Sequence, residues 1–349
     1  MNNKQLTRRE FLKSAAFGAA GIAALSIFGP GLLAAAKAET PVGAPSVVVP
    51  NPFDFSRRMV KLNDGREMPI IGLGTFNLTE EQAENSVYWA LKAGHRLIDT
   101  AQAYANEAGV GRGIKRAIDE GLVKREELFV TTKLWPISGY NAEAIDTALE
   151  KLQLDYIDLL LLHQPMSDYV GGYKIMEEAV AQGKVRSIGL SNFTVEQFEE
   201  IIAAATITPA VHQVETHLLN QQDAMLEYLQ RYDAVLEGWF PLGGRPNVAT
   251  FLAIPEVQEL AAIHGKSPAQ VIIRWHLQSG HVCFPGSTNE QHIAENIDVF
   301  DFELTADEMA RLDALNQNNP YYKRMGSSEE EIRQMMESWA EDWNLDIGF

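Results

Sequence analysis

The sequence predicts an α/β protein whose eight parallel strands, each followed by a helix, close into a (β/α)8 TIM barrel. Three observations carry that expectation. Strand-like runs recur at 69–74, 96–100, 128–133, 157–163, 185–191, 210–215, 234–239 and 282–285. Between them lie amphipathic segments of helical period with start signals. Thr79 with Gln82 and Thr194 with Gln197 fit a capping box, and Ser267-Pro268 fits an N-cap followed by proline at the first helical position. Several runs, such as Leu159-Leu160-Leu161-Leu162, are continuously apolar, as parallel strands buried on both faces are. Strands alternating with helices over this length favour a closed barrel. An open doubly wound sheet is the alternative; against it, no Gly-x-Gly-x-x-Gly follows the first strand.

In order along the chain, the first segment reads as a targeting signal rather than a fold element. Thr7-Arg8-Arg9-Glu10-Phe11-Leu12-Lys13 is a twin-arginine pattern, a mildly apolar stretch runs from Ser14 to Leu33, and Ala36-Lys37-Ala38 is a small-x-small cleavage site. Residues 1–38 are expected to be a twin-arginine signal peptide cleaved after Ala38, which makes the protein periplasmic and the twin-arginine export machinery a partner. A membrane anchor is the competing reading. Gly18, Gly21, Gly29 and Pro30, in a run at the short limit for a span, weigh against stable insertion. Residues 39–56, with Pro41, Pro45, Pro50 and Pro52, read as a linker, and 57–349 as one barrel domain. At its start Asp64-Gly65, between two short runs within 59–68, signals a hairpin placed to plug the barrel bottom. At the other end, Ile332, Met335, Met336 and Trp339 recur at helical spacing in an acidic tail, which predicts an amphipathic helix packed on the barrel.

Charge narrows the partners. The formal net charge is −18, and the signal segment holds five Lys/Arg against one Glu, so the chain beyond the signal is more acidic still. Such a surface repels nucleic acid and anionic membranes, which excludes both. The single cysteine, Cys283, leaves no internal disulfide to form in an oxidising compartment.

Chemistry-bearing residues collect where the apolar runs stop. The second run ends on Asp99, with Tyr104 five positions on; the third ends on Lys133; the fourth ends on His163. In a parallel barrel those ends open onto one face, where active sites sit. A free tyrosine, with a pKa of about 10, is a poor acid at neutral pH. A nearby ammonium favours phenolate, and a buried carboxylate keeps that ammonium charged and oriented. These residue types together predict a proton donor, Tyr104, tuned by Lys133 and Asp99 and acting on a carbonyl oxygen, with a neutral His163 placing that oxygen. Taken singly each has a blander explanation: a helix cap for the aspartate, core packing for the tyrosine, an interior hydrogen bond for the histidine.

Longer motifs extend the pattern: Gly72-Leu73-Gly74-Thr75, Arg96-Leu97-Ile98-Asp99-Thr100-Ala101, Tyr104-Ala105-Asn106-Glu107, Thr131-Thr132-Lys133-Leu134-Trp135, Leu161-Leu162-His163, Gly183 to Phe193, Pro285-Gly286-Ser287 and Ala294-Glu295-Asn296. On these, the chain resembles an aldo-keto reductase from Met59 to about Leu315. The resemblance implies reversible NAD(P)H-dependent reduction of aldehydes or ketones by a monomer. It implies the catalytic tetrad Asp99, Tyr104, Lys133 and His163. It also implies a cofactor held extended by Thr75, Asp99, Ser191, Asn192, Gln213, Trp239, Phe240, Leu242, Ser287, His292, Glu295 and Asn296. Ser191, Asn192 and Gln213 match positions that hold the nicotinamide carboxamide, and Glu295 and Asn296 the adenine side. Trp239 stands where the family's stacking tyrosine is usual, and an indole supplies the same flat surface.

Two departures modify what is carried over. Relatives that prefer NADPH commonly have Lys where Gly286 stands and Arg where His292 stands, both gripping the 2′-phosphate. Losing each charge-assisted contact costs about 1.5–3 kcal/mol, so NADP(H) and NAD(H) both stand as cofactors, with weak or reversed discrimination. In the substrate pocket Trp135 is retained, Phe76 replaces a frequent Trp, and Gln164 follows the histidine where Trp is usual. Phe76, Trp135, His163 and Gln164 are the expected substrate contacts, and the loops at 139–140 and 167–172 the rim. Two other readings remain. His212, Glu215 and His217 invite a metal-dependent hydrolase on the same barrel, although on a strand His212 faces away from the other two. A non-catalytic nicotinamide-binding sensor is the second, against which the complete tetrad weighs.

Overall fold

Residues 51–136, 139–322 and 327–343 are described by the computed structural model. The signal segment and most of the linker lie outside them. Within the linker, residues 51–56 are docked rather than free. The Asn51 side-chain amide donates to the carbonyls of Leu277 (2.8 Å) and Gln278 (3.0 Å), satisfying the end of the helix Pro268–Gln278, and Phe53 is buried.

The predicted hairpin forms from β1 (Met59–Lys61) and β2 (Glu67–Pro69), with Gly65 at φ +89° in the turn. Eight strands come next, each parallel to its neighbours: β3 (Gly72–Gly74), β4 (Leu97–Asp99), β5 (Phe129–Leu134), β6 (Ile157–Leu162), β7 (Val185–Ser191), β8 (Val211–Glu215), β9 (Val235–Trp239) and β10 (Val282–Cys283). A parallel bridge from Ile71 to Cys283 brings the two ends of the sheet together. Six of the eight match the predicted runs to within one residue; β3 starts three residues later than predicted, because residues 67–69 pair in the hairpin, and β10 ends two residues earlier. Thr79, Thr194 and Ser267 each close a capping box with the glutamine three residues on.

The interior explains the apolar runs. One cluster, including Ile98, Val130, Leu160, Leu162, Ile188, Leu190, Val214 and Leu236, packs the strands against the surrounding helices. A second joins Val60, Leu62 and Met68 of the hairpin region to Leu97, Phe129, Leu159, Val211 and Val282, so the hairpin plugs the bottom as expected. Helix packing is tight enough to require glycine: a Cβ on Gly109 would stand 2.1 Å from the Glu80 carbonyl oxygen. The acidic tail is helical over Glu329–Trp343, and Ile332 on it is buried.

Candidate active site

The C-terminal strand ends bring the four expected residues together. Lys133, on β5, is fully buried. Its ammonium donates to Asp99 Oδ1 at 2.7 Å, to the Thr100 carbonyl at 2.9 Å and to Tyr104 Oη at 3.1 Å. The His163 ring meets the Tyr104 ring edge-on at 5.7 Å and the Trp135 ring at 5.1 Å. Tyr104 closes a 3-10 turn, Gln102–Tyr104, ended by Ala105 at φ +52°. The turn is pinned on two sides. Asn106 donates to the Thr75 and Leu78 carbonyls and accepts from Thr100, while Gln102 links Ala144 to the Trp135 backbone N–H.

Electrostatics follow from burial. Desolvation works against the Lys133 charge, but the attraction of Asp99 and Tyr104 outweighs it and holds the lysine pKa above its ordinary value. Burial pushes the Asp99 carboxyl up, opposed by Lys133 and by the Gln213 amide. An ammonium 3.1 Å from a phenol oxygen stabilises the phenolate, which is what a tyrosine acid needs.

A carboxylate unforeseen in the sequence completes this network. Gln213 on β8 splits its amide N–H groups between Asp99 Oδ2 and Glu237 Oε2, both at 2.9 Å. Glu237 is fully buried, and burial, with the Asp99 carboxylate second, pushes its pKa up to about 8. The signal is present in the sequence as an acid inside the apolar strand Val235-Leu236-Glu237. A folded-state pKa above the unfolded one means the native state holds the extra proton, so stability falls as pH rises from the ordinary carboxylate range through about 8. Glu237→Gln is therefore expected to raise the melting temperature over wild type at about pH 9 by several degrees, and little at about pH 4. Equal melting shifts at both pH values would contradict the burial of an ionising carboxyl there.

A cavity of about 440 Å³ opens beside the tetrad, lined by Asp99, Tyr104, His163, Ser191, Asn192, Gln213, Trp239, Phe240 and Leu242, and further along by Gly244, Arg245, Gly286 and Ser287. Gly286 packs against β3: a Cβ there would stand 2.8 Å from the Gly74 carbonyl oxygen, so the close approach of the two backbones at the cavity edge requires glycine. The Trp239 indole N–H donates to Asn192 Oδ1 at 3.0 Å, which fixes the ring at the cavity edge. Among the described residues, Arg245 is the one Lys or Arg in the lining.

A family model, the aldo/keto reductase family, matches residues 70–317. The chain belongs to the aldo-keto reductase family. It is similar to the glyoxal reductase of Bacillus subtilis (43% identical, 78% of this chain and 96% of that one). It is likewise similar to the methylglyoxal reductase of Escherichia coli (41% identical, 77% and 95%). A crystal structure of a Bombyx mori aldo-keto reductase in complex with NADP superposes with a TM-score of 0.70 at 36% identity, covering 75% of this chain and 93% of that one. This aldo-keto reductase is thus an oxidoreductase that reduces carbonyls with NAD(P)H.

Not every expected contact of the reductase lines the cavity. Thr75 is buried; its backbone N–H donates to the Asp99 carbonyl, extending the β3–β4 pairing by one step, and its hydroxyl donates to the same oxygen. His292, Glu295 and Asn296 lie on the helix Glu290–Ile297 outside the lining, and Trp135 and Gln164 are buried behind it. The hydrolase alternative loses its ligands to other work. His212 accepts from the Phe193 backbone N–H, while His217 hydrogen-bonds Glu215 at 3.0 Å. The Glu215 carboxylate also accepts the backbone N–H groups of Tyr321 and Tyr322.

Proposed function

We propose that Tyr104 is the general acid of this reductase, that it reduces small carbonyls with either NADH or NADPH, and that it does so after export. The observation that carries the catalytic reading is the single Lys133 ammonium shared between Asp99 at 2.7 Å and Tyr104 at 3.1 Å. When bound, the nicotinamide supplies the hydride. Tyr104 Oη gives its proton to the developing alkoxide, Lys133 stabilises the phenolate left behind, and Asp99 keeps the lysine charged. His163 orients the carbonyl oxygen toward Tyr104. Gln213, Ser191 and Asn192 would hold the carboxamide, Trp239 the nicotinamide face, and Arg245 with Ser287 the phosphates.

Two relatives are named for glyoxal and methylglyoxal, which points to small, uncharged dicarbonyls as substrates here. Gly286 presents no side chain toward a 2′-phosphate, and His292 stands outside the cavity lining. The test is cofactor oxidation by purified protein with glyoxal, methylglyoxal and simple aldehydes. NADPH is expected to be preferred over NADH by less than about tenfold, the value of one lost charge-assisted contact; a thousandfold preference would sink this reading. Export after cleavage at Ala38 and a monomeric state complete the proposal. Intact residues 1–38 on cytoplasmic protein, or a dimer on size-exclusion chromatography, would overturn these two points.

A further inference from the structure

Glu237 stands one hydrogen bond behind the cavity. Strand β9 carries it, fully buried, between Gln213 on β8 and Val282 on β10. One of its oxygens, Oε2, accepts the Gln213 amide at 2.9 Å; the other, Oε1, is buried without a hydrogen-bond partner among the described residues. The same amide nitrogen donates to Asp99 Oδ2 at 2.9 Å, so both of its N–H groups are committed. What Gln213 has left for the cavity it lines is its carbonyl oxygen. Two carboxyl groups thus share one amide behind the residue that would hold the nicotinamide carboxamide.

A buried carboxylate with one oxygen unpaired costs far more than the neutral acid. The charges acting on Glu237 come from two further strands: Asp99 on β4 disfavours its ionisation and Lys133 on β5 favours it. Cys283, the titratable residue of β10, pairs with Gly238 instead. Burial is the largest influence and pushes the Glu237 pKa up to about 8, so the acid predominates at neutral pH. The reduced nicotinamide ring is neutral, whereas the oxidised ring carries a positive charge. We infer that Glu237 is a positioning residue that answers this change through Gln213: it keeps its proton under the reduced cofactor and releases it to solvent under the oxidised one. Ionised Glu237 then attracts the oxidised ring, and by linkage the binding of NADP+, unlike that of NADPH, tightens as pH rises. The inference rests on the reading that Gln213 holds the carboxamide.

The experiment measures the dissociation constants of NADP+ and NADPH by tryptophan-fluorescence quenching at about pH 7 and about pH 9. The ratio of the two constants cancels the titration of groups that touch the rest of the cofactor. In wild type the NADP+ constant is expected to fall about fivefold relative to the NADPH constant between the two pH values. Glu237→Gln keeps an oxygen to accept the Gln213 amide but cannot ionise, and its ratio stays flat. Tyr104→Phe removes another acid of the site and keeps the wild-type fall. A flat wild-type ratio, a fall that persists in Glu237→Gln, or one that vanishes in Tyr104→Phe overturns the role given to Glu237. Gln213→Met tests the reading beneath it: both constants are expected to rise roughly fivefold, and if neither moves, Gln213 does not hold the carboxamide.

Discussion

Tyr104→Phe is expected to lower kcat roughly 10²–10⁴-fold, the usual contribution of a positioned acid, while the dissociation constant for NADP+ stays within about twofold of wild type. The change removes one oxygen and little else. The ring keeps its edge-on packing against Phe76 at 5.0 Å, and Lys133 keeps Asp99 at 2.7 Å and the Thr100 carbonyl at 2.9 Å as acceptors. The fold should therefore survive, and the loss falls on the proton transfer alone. Binding without turnover would also dispose of the sensor reading for wild type, because a sensor has no turnover to lose. A variant retaining more than about a tenth of wild-type kcat would show that another group protonates the alkoxide.

The residues legible in the sequence are those whose signal is local. The strands announce themselves because both faces of a parallel sheet are apolar, and Asp99, Lys133 and His163 stand out because each interrupts such a run. Glu237 interrupts one too, yet nothing in its own strand tells that it shares the Gln213 amide with Asp99. That depends on the register setting Gln213 opposite Glu237 across two separate strands. Ile332 is legible as an apolar position of an amphipathic helix, but the surface that buries it is a matter of where the tail returns to the barrel. His292, Glu295 and Asn296 rest on resemblance alone, and their helix stands outside the cavity lining. Glu215 and His217, metal ligands by residue type, instead bond each other, and Glu215 also holds the Tyr321 and Tyr322 backbone.

Lys133→Met separates the electrostatic role of the lysine from its structural one. Both members of the Asp99–Lys133 pair are nearly inaccessible to solvent, with side chains 3% and 0% exposed. Removing the cation leaves Asp99 buried with the Gln213 amide as its remaining side-chain donor, and stranding one member of a buried pair costs about 3–5 kcal/mol. The cost has a sign in pH. Burial already raises the Asp99 pKa, and without Lys133 it rises further, so the folded variant holds a proton its unfolded chain would release. Stability of the variant should thus fall as pH rises above the ordinary carboxylate range, with the deficit against wild type growing as pH rises. Adding Asp99→Asn removes the stranded charge. The double variant is expected to recover most of the melting temperature and to lose that pH dependence, yet to remain as inactive as Lys133→Met, because no ammonium is left to stabilise the Tyr104 phenolate. If activity returned with stability, the pair would be a structural ion pair that happens to stand beside the tyrosine, and the acidity of Tyr104 would have to come from elsewhere.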